Sequence, residues 1–513
     1  MDPLIRNRQE AVEAVEAYSP AEQQFNHRRK TIGMVAGPLV FAGLLAVPMA
    51  TLPAPAHRLA AILGLVVVFW ITEALPLAVT ALLGPLLAIL LQIAPAGKAL
   101  ASFADPIIFL FIGSFILAEA MYVHGLDRRI AYTALSSRLI GRSASRLLVA
   151  FGAVSVLISM WISNTATAAM MFPIGLSVVT QLSKQKFGQT AQFRRFATTM
   201  MLITAFGASL GGMATPIGTP PNLIGIGMMR ELLGVQVSFF RWMALGTPLA
   251  VGLYAVLACG FWLVGARGLR LPDETTTFVG RELERLGPMS PGERNVMLAF
   301  FTTVLLWVLP GVLVLVGQGN SDFSKAYERS MPEAAAALTG AILLFVLPVD
   351  WRQRRFTMSW AEAVQIDWGT VLLFGGGLAM GALAFSTGLA SAFGHTIAGW
   401  MPSSSPLAFT VLFTAVAVLL SEMTSNTASA SMIVPIAIAV SQAAGVRAVE
   451  PALGATLGAS VGFMLPISTP PNAIAYSSGH VPIGAMMKHG AALDVVSVIV
   501  VVVVVSTLGP LLF

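Results

Sequence analysis

Two polar triplets interrupt apolar sequence, Ser163-Asn164-Thr165 and Ser425-Asn426-Thr427, and each follows a serine four residues earlier, Ser159 and Ser421. Hydroxyls and amides at a helix start satisfy orphan backbone donors, so these residue types are strong N-caps. A helix N-terminus carries about half a positive charge, which makes it a place to hold a carboxylate. Two triplets meeting near a membrane midplane would hold two carboxylates. The spaced serines lie one helical turn away on the same side as Ser163 and Ser425, where stacked hydroxyls can share an ion. A bond back to the i−4 carbonyl is the plainer role for such a serine, but its recurrence in both halves favours the ion.

A second motif, Thr219-Pro220-Pro221-Asn222, returns as Thr469-Pro470-Pro471-Asn472. The first proline has no amide hydrogen and opposes the helical conformation of the residue before it, which leaves carbonyls free at a break. Carbonyls, hydroxyls and Asn oxygens are neutral hard ligands suited to sodium. Neither triplets nor breaks contain Arg or Lys. Helix termini and bound cations must then balance any dianion, which argues for cation-coupled anion binding, whereas a neutral polar solute needs no cation.

The elements that carry these motifs are membrane helices. Of 513 residues, 56% are apolar and 11% charged, against roughly 45–50% and about 25% in soluble domains, which excludes a water-soluble enzyme. Runs of about 20 apolar residues can cross a hydrocarbon core of ~30 Å. Spans are expected at 31–50, 59–75, 77–93, 106–123, 195–231, 242–266, 293–317, 332–348, 368–387, 449–480 and 489–513. The stretches 147–182 and 405–443, each interrupted by a triplet, suit re-entrant hairpins whose turns are buried in protein. The fold class is therefore an all-α polytopic membrane protein with eleven transmembrane helices and two hairpins.

With the N-terminus inside, 23 of the 30 Lys and Arg residues fall on the cytoplasmic side. The positive-inside rule explains the basic charge, and no nucleic-acid partner is needed. Residues 1–30 lack the apolar core of a secretory signal, and Leu4, Ile5, Val12, Val15 and Tyr18 read as a cytoplasmic amphipathic segment. The single cysteine, Cys259, excludes a disulfide framework or a cysteine-based metal site.

The halves repeat. Pro76 and Gly84 recur as Pro332 and Gly340, and Phe111, Gly113, Gly125 and Leu126 as Phe374, Gly376, Gly388 and Leu389. Gly-Ala-Ser-Leu-Gly at 207–211 returns as Gly-Ala-Ser-Val-Gly at 458–462. The first hairpin starts from the cytoplasm and the second from outside, so the repeats are inverted. Inverted repeats with broken helices mark secondary transporters with a midplane site.

Other readings are weaker. The Gly-x-Ser-x-Gly pattern around Ser209 and Ser460 formally matches a nucleophile elbow, but both copies lie inside apolar spans, where small residues serve close helix packing. An intramembrane serine hydrolase is thus the minor alternative, and a channel is weaker than a carrier. No His-Glu-x-x-His pattern occurs. Glu73, Glu119 and Glu422 are expensive in lipid and are candidate proton or cation carriers, with pairing to a neighbouring helix as the bland role; Glu422 stands out beside Ser421. The Met residues and the Val500–Val505 run read as packing or lipid-facing surface.

Paired Ser-Asn-Thr and paired Thr-Pro-Pro-Asn resemble the divalent anion/sodium symporter family over essentially the whole chain after Thr31. Trp161-Ile-Ser163-Asn164-Thr165-Ala-Thr-Ala and Met464-Leu-Pro-Ile-Ser-Thr469-Pro470-Pro471-Asn472-Ala are especially similar to its dicarboxylate branch. The resemblance implies a homodimer and an elevator-type transporter of C4-dicarboxylates such as succinate, malate and fumarate, with sodium as coupling ion. It implies scaffold parts at 31–146 and 293–400, transport parts at 147–270 and 401–513, and a cytoplasmic loop at 271–292. A first sodium site falls on Ser159, Ser163, Asn164 and Gly218, and a second on Ser421, Thr424, Asn426 and Ser468, with 424 and 468 giving mainly carbonyls. Substrate carboxylates would meet Ser163, Asn164 and Thr165 on one side and Ser425, Asn426 and Thr427 on the other, near Thr219, Thr469 and Pro470. The family also contains sodium-independent exchangers with the same triplets. Ser421 stands where relatives commonly have threonine, which keeps the hydroxyl. A multi-pass protein of a bacterial inner membrane is the expected location.

Overall fold

The computed structural model describes residues 20–49, 52–137, 143–183, 190–265, 273–399 and 405–513. The amphipathic segment expected around Leu4–Tyr18 lies outside the described residues. The first half comprises α1 (Pro20–Ala46), α2 (Ala54–Thr72), α3 (Leu77–Leu90), the short α4 (Ala96–Ala99), α5 (Pro106–His124), α6 (Leu126–Leu135), α7 (Ala144–Ser159), α8 (Asn164–Ser183), α9 (Ala191–Gly212), α10 (Pro220–Leu233) and α11 (Phe239–Gly265). Helix α12 (Asp273–Arg285) links the halves. The second half runs through α13 (Pro291–Leu315), α14 (Asp322–Ser330), α15 (Glu333–Val346), α16 (Trp360–Ala363), α17 (Trp368–Ser386), α18 (Leu389–Ala398), α19 (Pro406–Met423), α20 (Asn426–Ala443), α21 (Val449–Gly458), α22 (Pro470–Ser477) and α23 (Ile483–Leu512).

Nine of these helices, among the described residues, are long and apolar enough to span, or ten if the pair α14 and α15, bent by 63°, is one span. Seven coincide with expected spans, and the other two are hairpin arms, α8 and α19. The remaining expected spans are short or interrupted. Regions 77–93 and 332–348 each yield a helix of 14 residues, while 195–231 and 449–480 are split at their Thr-Pro-Pro breaks. A small antiparallel pair, β1 (Pro348–Asp350) and β2 (Arg355–Phe356), departs from the all-helical expectation. It folds the basic segment 352–355 back in a tight turn, with Arg354 at φ 51°.

Local chemistry places the ends. Asp105 caps α5 by accepting from the Ile107 amide, and Pro106 fills the first position, where no amide donor is needed. Gly125 (φ 70°) and Gly388 (φ 81°) stop α5 and α17 in the left-handed region that favours glycine, which is why this pair recurs in the sequence. Ser290 and Glu293 form a capping box at the start of α13.

The halves interlock by exchange. Helix α3 packs on α17 and α15 on α5, each pair joining opposite repeats. Glycine makes both approaches possible, since a Cβ at Gly376 would lie 2.3 Å from the Ala81 carbonyl oxygen, and one at Gly113 2.7 Å from the Ala337 carbonyl carbon. The hairpins obey the same rule. Within each repeat α7 packs on α9 and α19 on α21, while across repeats α10 packs on α20 and α21, and α22 on α8 and α9. Each broken helix therefore leans its second half on the other repeat's hairpin, and both motifs are gathered in one core.

Candidate cation and carboxylate site

Each hairpin turns through its triplet. The Ser159 hydroxyl donates to Asn164 Oδ1 at 2.8 Å, and the Ser421 hydroxyl lies 2.7 Å from Asn426 Oδ1 and 2.9 Å from the Ala459 carbonyl. Both serines are fully buried. The spaced serines thus hold the triplet asparagines, and the alternative of a bond to the i−4 carbonyl is not the one observed. Ser163 caps α8, its hydroxyl accepting from the Ala166 amide at 3.2 Å. The first tip is open, with Ser163 and Thr165 exposed, whereas Thr427 is buried and Ser425 and Asn426 are half-buried.

The breaks are equally alike. Thr219 (φ −148°, ψ 143°) and Thr469 (φ −144°, ψ 148°) are extended, as the following proline requires, and α10 and α22 start at Pro220 and Pro470. Thr219, Thr469, Ser468 and Gly218 are buried and Pro470 is exposed. Gly212 is where the first site converges. A Cβ there would fall 2.3 Å from Asn164 Oδ1, and one on Gly218 would fall 2.6 Å from the Gly212 carbonyl oxygen. Gly462 has this position in the second half, where a Cβ would lie 3.1 Å from Ser421 Oγ and 3.5 Å from Ser468 Cβ. Hairpin serine, triplet asparagine and unwound segment thus meet within each repeat. Thr424 is the exception in its side chain, because its hydroxyl donates to the Trp70 carbonyl in α2 and only its backbone remains for an ion.

Glu422 is anchored rather than free. Its carboxylate accepts from the amides of Met464 (2.8 Å) and Leu465 (3.3 Å) and from the Ser468 hydroxyl, so it holds the second unwound segment against α19. Met160 occupies the matching place in the first half, where its carbonyl accepts from the Thr215 hydroxyl. Glu73 pairs with Arg29 at 2.9 Å, and Glu119 is half-buried with a partner of its own. Neither sits at the triplets or breaks.

Two asparagines whose oxygens the motif offers to sodium, but which the resemblance puts in neither site, brace the same breaks. Asn222 Nδ2 donates to the carbonyls of Gly212 and Thr215, both at 2.8 Å, and Asn472 Nδ2 to those of Gly462 and Leu465, both at 3.0 Å. Their recurrence in the second motif was the available signal. Ser209 and Ser460 are fully buried, the first within α9 and the second in the turn after α21, so the strand-turn-helix setting of a nucleophile elbow is absent around them. No cluster of three His, Cys, Asp or Glu fit for a metal occurs among the described residues. What converges is mostly neutral oxygen, with the Glu422 carboxylate behind the second break, which suits an alkali cation, while the helix N-termini at the triplets suit carboxylates beside it.

Residues 28–513 match the family model described as the sodium:sulfate symporter transmembrane region. The chain is 33% identical over 485 residues to the sodium-dependent dicarboxylate transporter SdcS of Staphylococcus aureus strain USA300, covering 94% of this chain and 91% of that protein. SdcS from the bovine strain RF122 matches over the same shares. Among solved structures, MtrF of Neisseria gonorrhoeae aligns with a TM-score of 0.53 at 14% identity, over 82% of this chain and 83% of that one. The YdaH transporter of Alcanivorax borkumensis aligns at 0.50 and 14% identity, over 80% and 86%. These two speak to fold alone. Family model and relatives agree with the paired motifs: this multi-pass membrane chain is a transporter, not an enzyme, and belongs to the divalent anion/sodium symporter family.

Proposed function

We propose that the protein imports C4-dicarboxylates such as succinate, malate or fumarate, coupled to sodium. One observation supports this reading: a cradle of hydroxyl, amide and backbone oxygens occurs twice, around Gly212 and around Gly462, each beside a helix N-terminus at a triplet, and the second also has the Glu422 carboxylate bonded to its Ser468 hydroxyl. A sodium ion at Ser159, Ser163, Asn164 and Gly218 and another at Ser421, Thr424, Asn426 and Ser468 would balance a dianion held by the two triplets, with Thr219, Thr469 and Pro470 alongside. Moving such a neutralised assembly through an apolar scaffold costs far less than moving bare charge. The sodium-dependent dicarboxylate transporter SdcS supports both the ion and the substrate class.

The transport parts, 147–270 and 401–513, slide as an elevator against scaffold parts 31–146 and 293–400 in a homodimer seated in membrane lipid, with the repeats inverted. The excess of Lys and Arg supports a cytoplasmic N-terminus in a bacterial inner membrane. Labelled succinate offered to proteoliposomes under an inward sodium gradient, with potassium as the control, tests the reading. Accumulation only with sodium is expected. Uptake that appears only after internal succinate is loaded, whatever the salt, would replace symport by exchange.

A further inference from the structure

Asn222 and Asn472 make the same unusual connection. Each side-chain amide reaches back ten and seven residues to two carbonyls of its own unwound segment, so that one NH2 group closes the loop from the end of one helix to the start of the next. Both residues are fully buried, and in both the remaining oxygen, Oδ1, has no hydrogen-bond donor. Other buried side-chain atoms here also go unpaired, but these two acceptors stand at matching places of the two repeats, next to the same braced carbonyls. Each lies beside a cradle. The Gly212 carbonyl that Asn222 holds belongs to the residue packed against Asn164, and the Gly462 carbonyl that Asn472 holds belongs to the residue packed against Ser421 and Ser468. Thr167 and Ser429, matching residues of α8 and α20, also carry fully buried hydroxyls without partners, so unmet oxygen gathers near both hairpin tips.

Resting on the sodium reading above, the geometry points to Asn222 and Asn472 as the residues that shape the two cation cradles: Nδ2 pins the unwound backbone and Oδ1 is left for the ion. Pinning two carbonyls fixes the curve of each segment, so that the carbonyls between them keep their direction when no ion is bound. A rigid, pre-curved ring of oxygens selects an ion by size and lowers the ordering cost of binding it. The ion in turn meets the acceptor that no protein donor reaches.

The test uses the purified full-length protein, with thermal stability followed against sodium at constant ionic strength, choline replacing sodium and no substrate present. The native protein is expected to gain stability with sodium and to give a midpoint concentration. Asn222→Ala and Asn472→Ala are each expected to raise that midpoint at least about tenfold, and to flatten the preference for sodium over lithium. A purely structural role would lower the melting temperature in choline and leave the midpoint unchanged, and that outcome overturns the inference. Asn222→Ser and Asn472→Ser keep one donor and one oxygen, and are expected to fall between native and Ala. Where an Ala variant does not elute as the native protein, the Ser variant carries the test, and a native midpoint there is equally fatal. Absence of any sodium effect on the native protein would instead defeat the sodium reading itself.

Discussion

Each triplet asparagine accepts a hydrogen bond from a buried serine, and Asn164 is in addition pressed against Gly212, so the orientation of the amides is set before any ligand arrives. Asn164→Ala and Asn426→Ala should therefore each abolish succinate uptake while the protein still elutes as native, and uptake at native rates by both would refute the assignment. The supporting serines differ in degree. Ser421 Oγ reaches both Asn426 Oδ1 and the Ala459 carbonyl, whereas Ser159 Oγ donates to Asn164 Oδ1. A lost hydrogen bond in a buried setting costs about 1–3 kcal/mol where it leaves a polar group unmet, and 1.4 kcal/mol is tenfold in affinity. Ser421→Ala is expected to raise the sodium concentration for half-maximal uptake by about tenfold or more, and Ser159→Ala by less. Equal effects would show that the Ala459 contact carries no weight. Glu422 makes a separate prediction, because its carboxylate holds two amides and a hydroxyl at once. Glu422→Leu strands those donors and should cost stability by at least about 1–3 kcal/mol, with a matching fall in melting temperature in either salt.

At the level of elements, hairpins and breaks were legible because their signals are local. Ser and Asn cap a helix start, and proline forbids the helical conformation before it, so 147–182 and 405–443 fall within about three residues of the observed hairpin arms. What could not be read is how the elements lean on one another. The exchange that puts α22 on α8 and α10 on α20 depends on side chains far apart in sequence, and so do the anchor at Glu422 and the amide braces at Asn222 and Asn472. The Gly-Ala-Ser-x-Gly repeats show both sides of this limit. Close packing by small residues was expected, but only the structure ranks the glycines. A Cβ on Gly211 would lie 2.3 Å from the Val156 carbonyl oxygen and 2.8 Å from its Cα, backbone atoms of a buried helix that cannot swing aside. At Gly207 the nearest atoms are 3.2 and 3.3 Å away. Gly211→Ala should push α7 from α9 at a cost of about 1–3 kcal/mol or more, and Gly207→Ala less than about 1 kcal/mol. Melting temperatures of the two variants in choline compare them directly, and a larger drop for Gly207→Ala would contradict the packing described.

At the scale of the whole molecule, the elevator reading requires contacts that hold in one position and break in the other. On the proposed division, the Asp105–Arg230 ion pair is the contact to test. Asp105 caps α5 in the proposed scaffold part, Arg230 lies in the last turn of α10 in the proposed transport part, and their ion pair is largely buried. Thr424, donating to the Trp70 carbonyl of α2, ties the second hairpin to the proposed scaffold part as well. A covalent bridge in place of the ion pair turns this into a measurement. Asp105→Cys with Arg230→Cys, made in a Cys259→Ser background so that the native thiol cannot compete, puts two thiols on the elements that the pair joins, and a bis-thiol reagent with an internal disulfide spans the reach of the lost arginine side chain. Cross-linking should stop succinate transport, and reductive cleavage of the linker should restore it. Sodium-dependent stabilisation should survive cross-linking, because the proposed division puts the residues of both cradles in the transport part. Two failures then carry different meanings. Loss of sodium stabilisation on cross-linking would place a cradle across the boundary between the two parts, whereas undiminished transport by fully cross-linked protein would mean that α5 and α10 travel together, and the line between scaffold and transport parts would have to be redrawn.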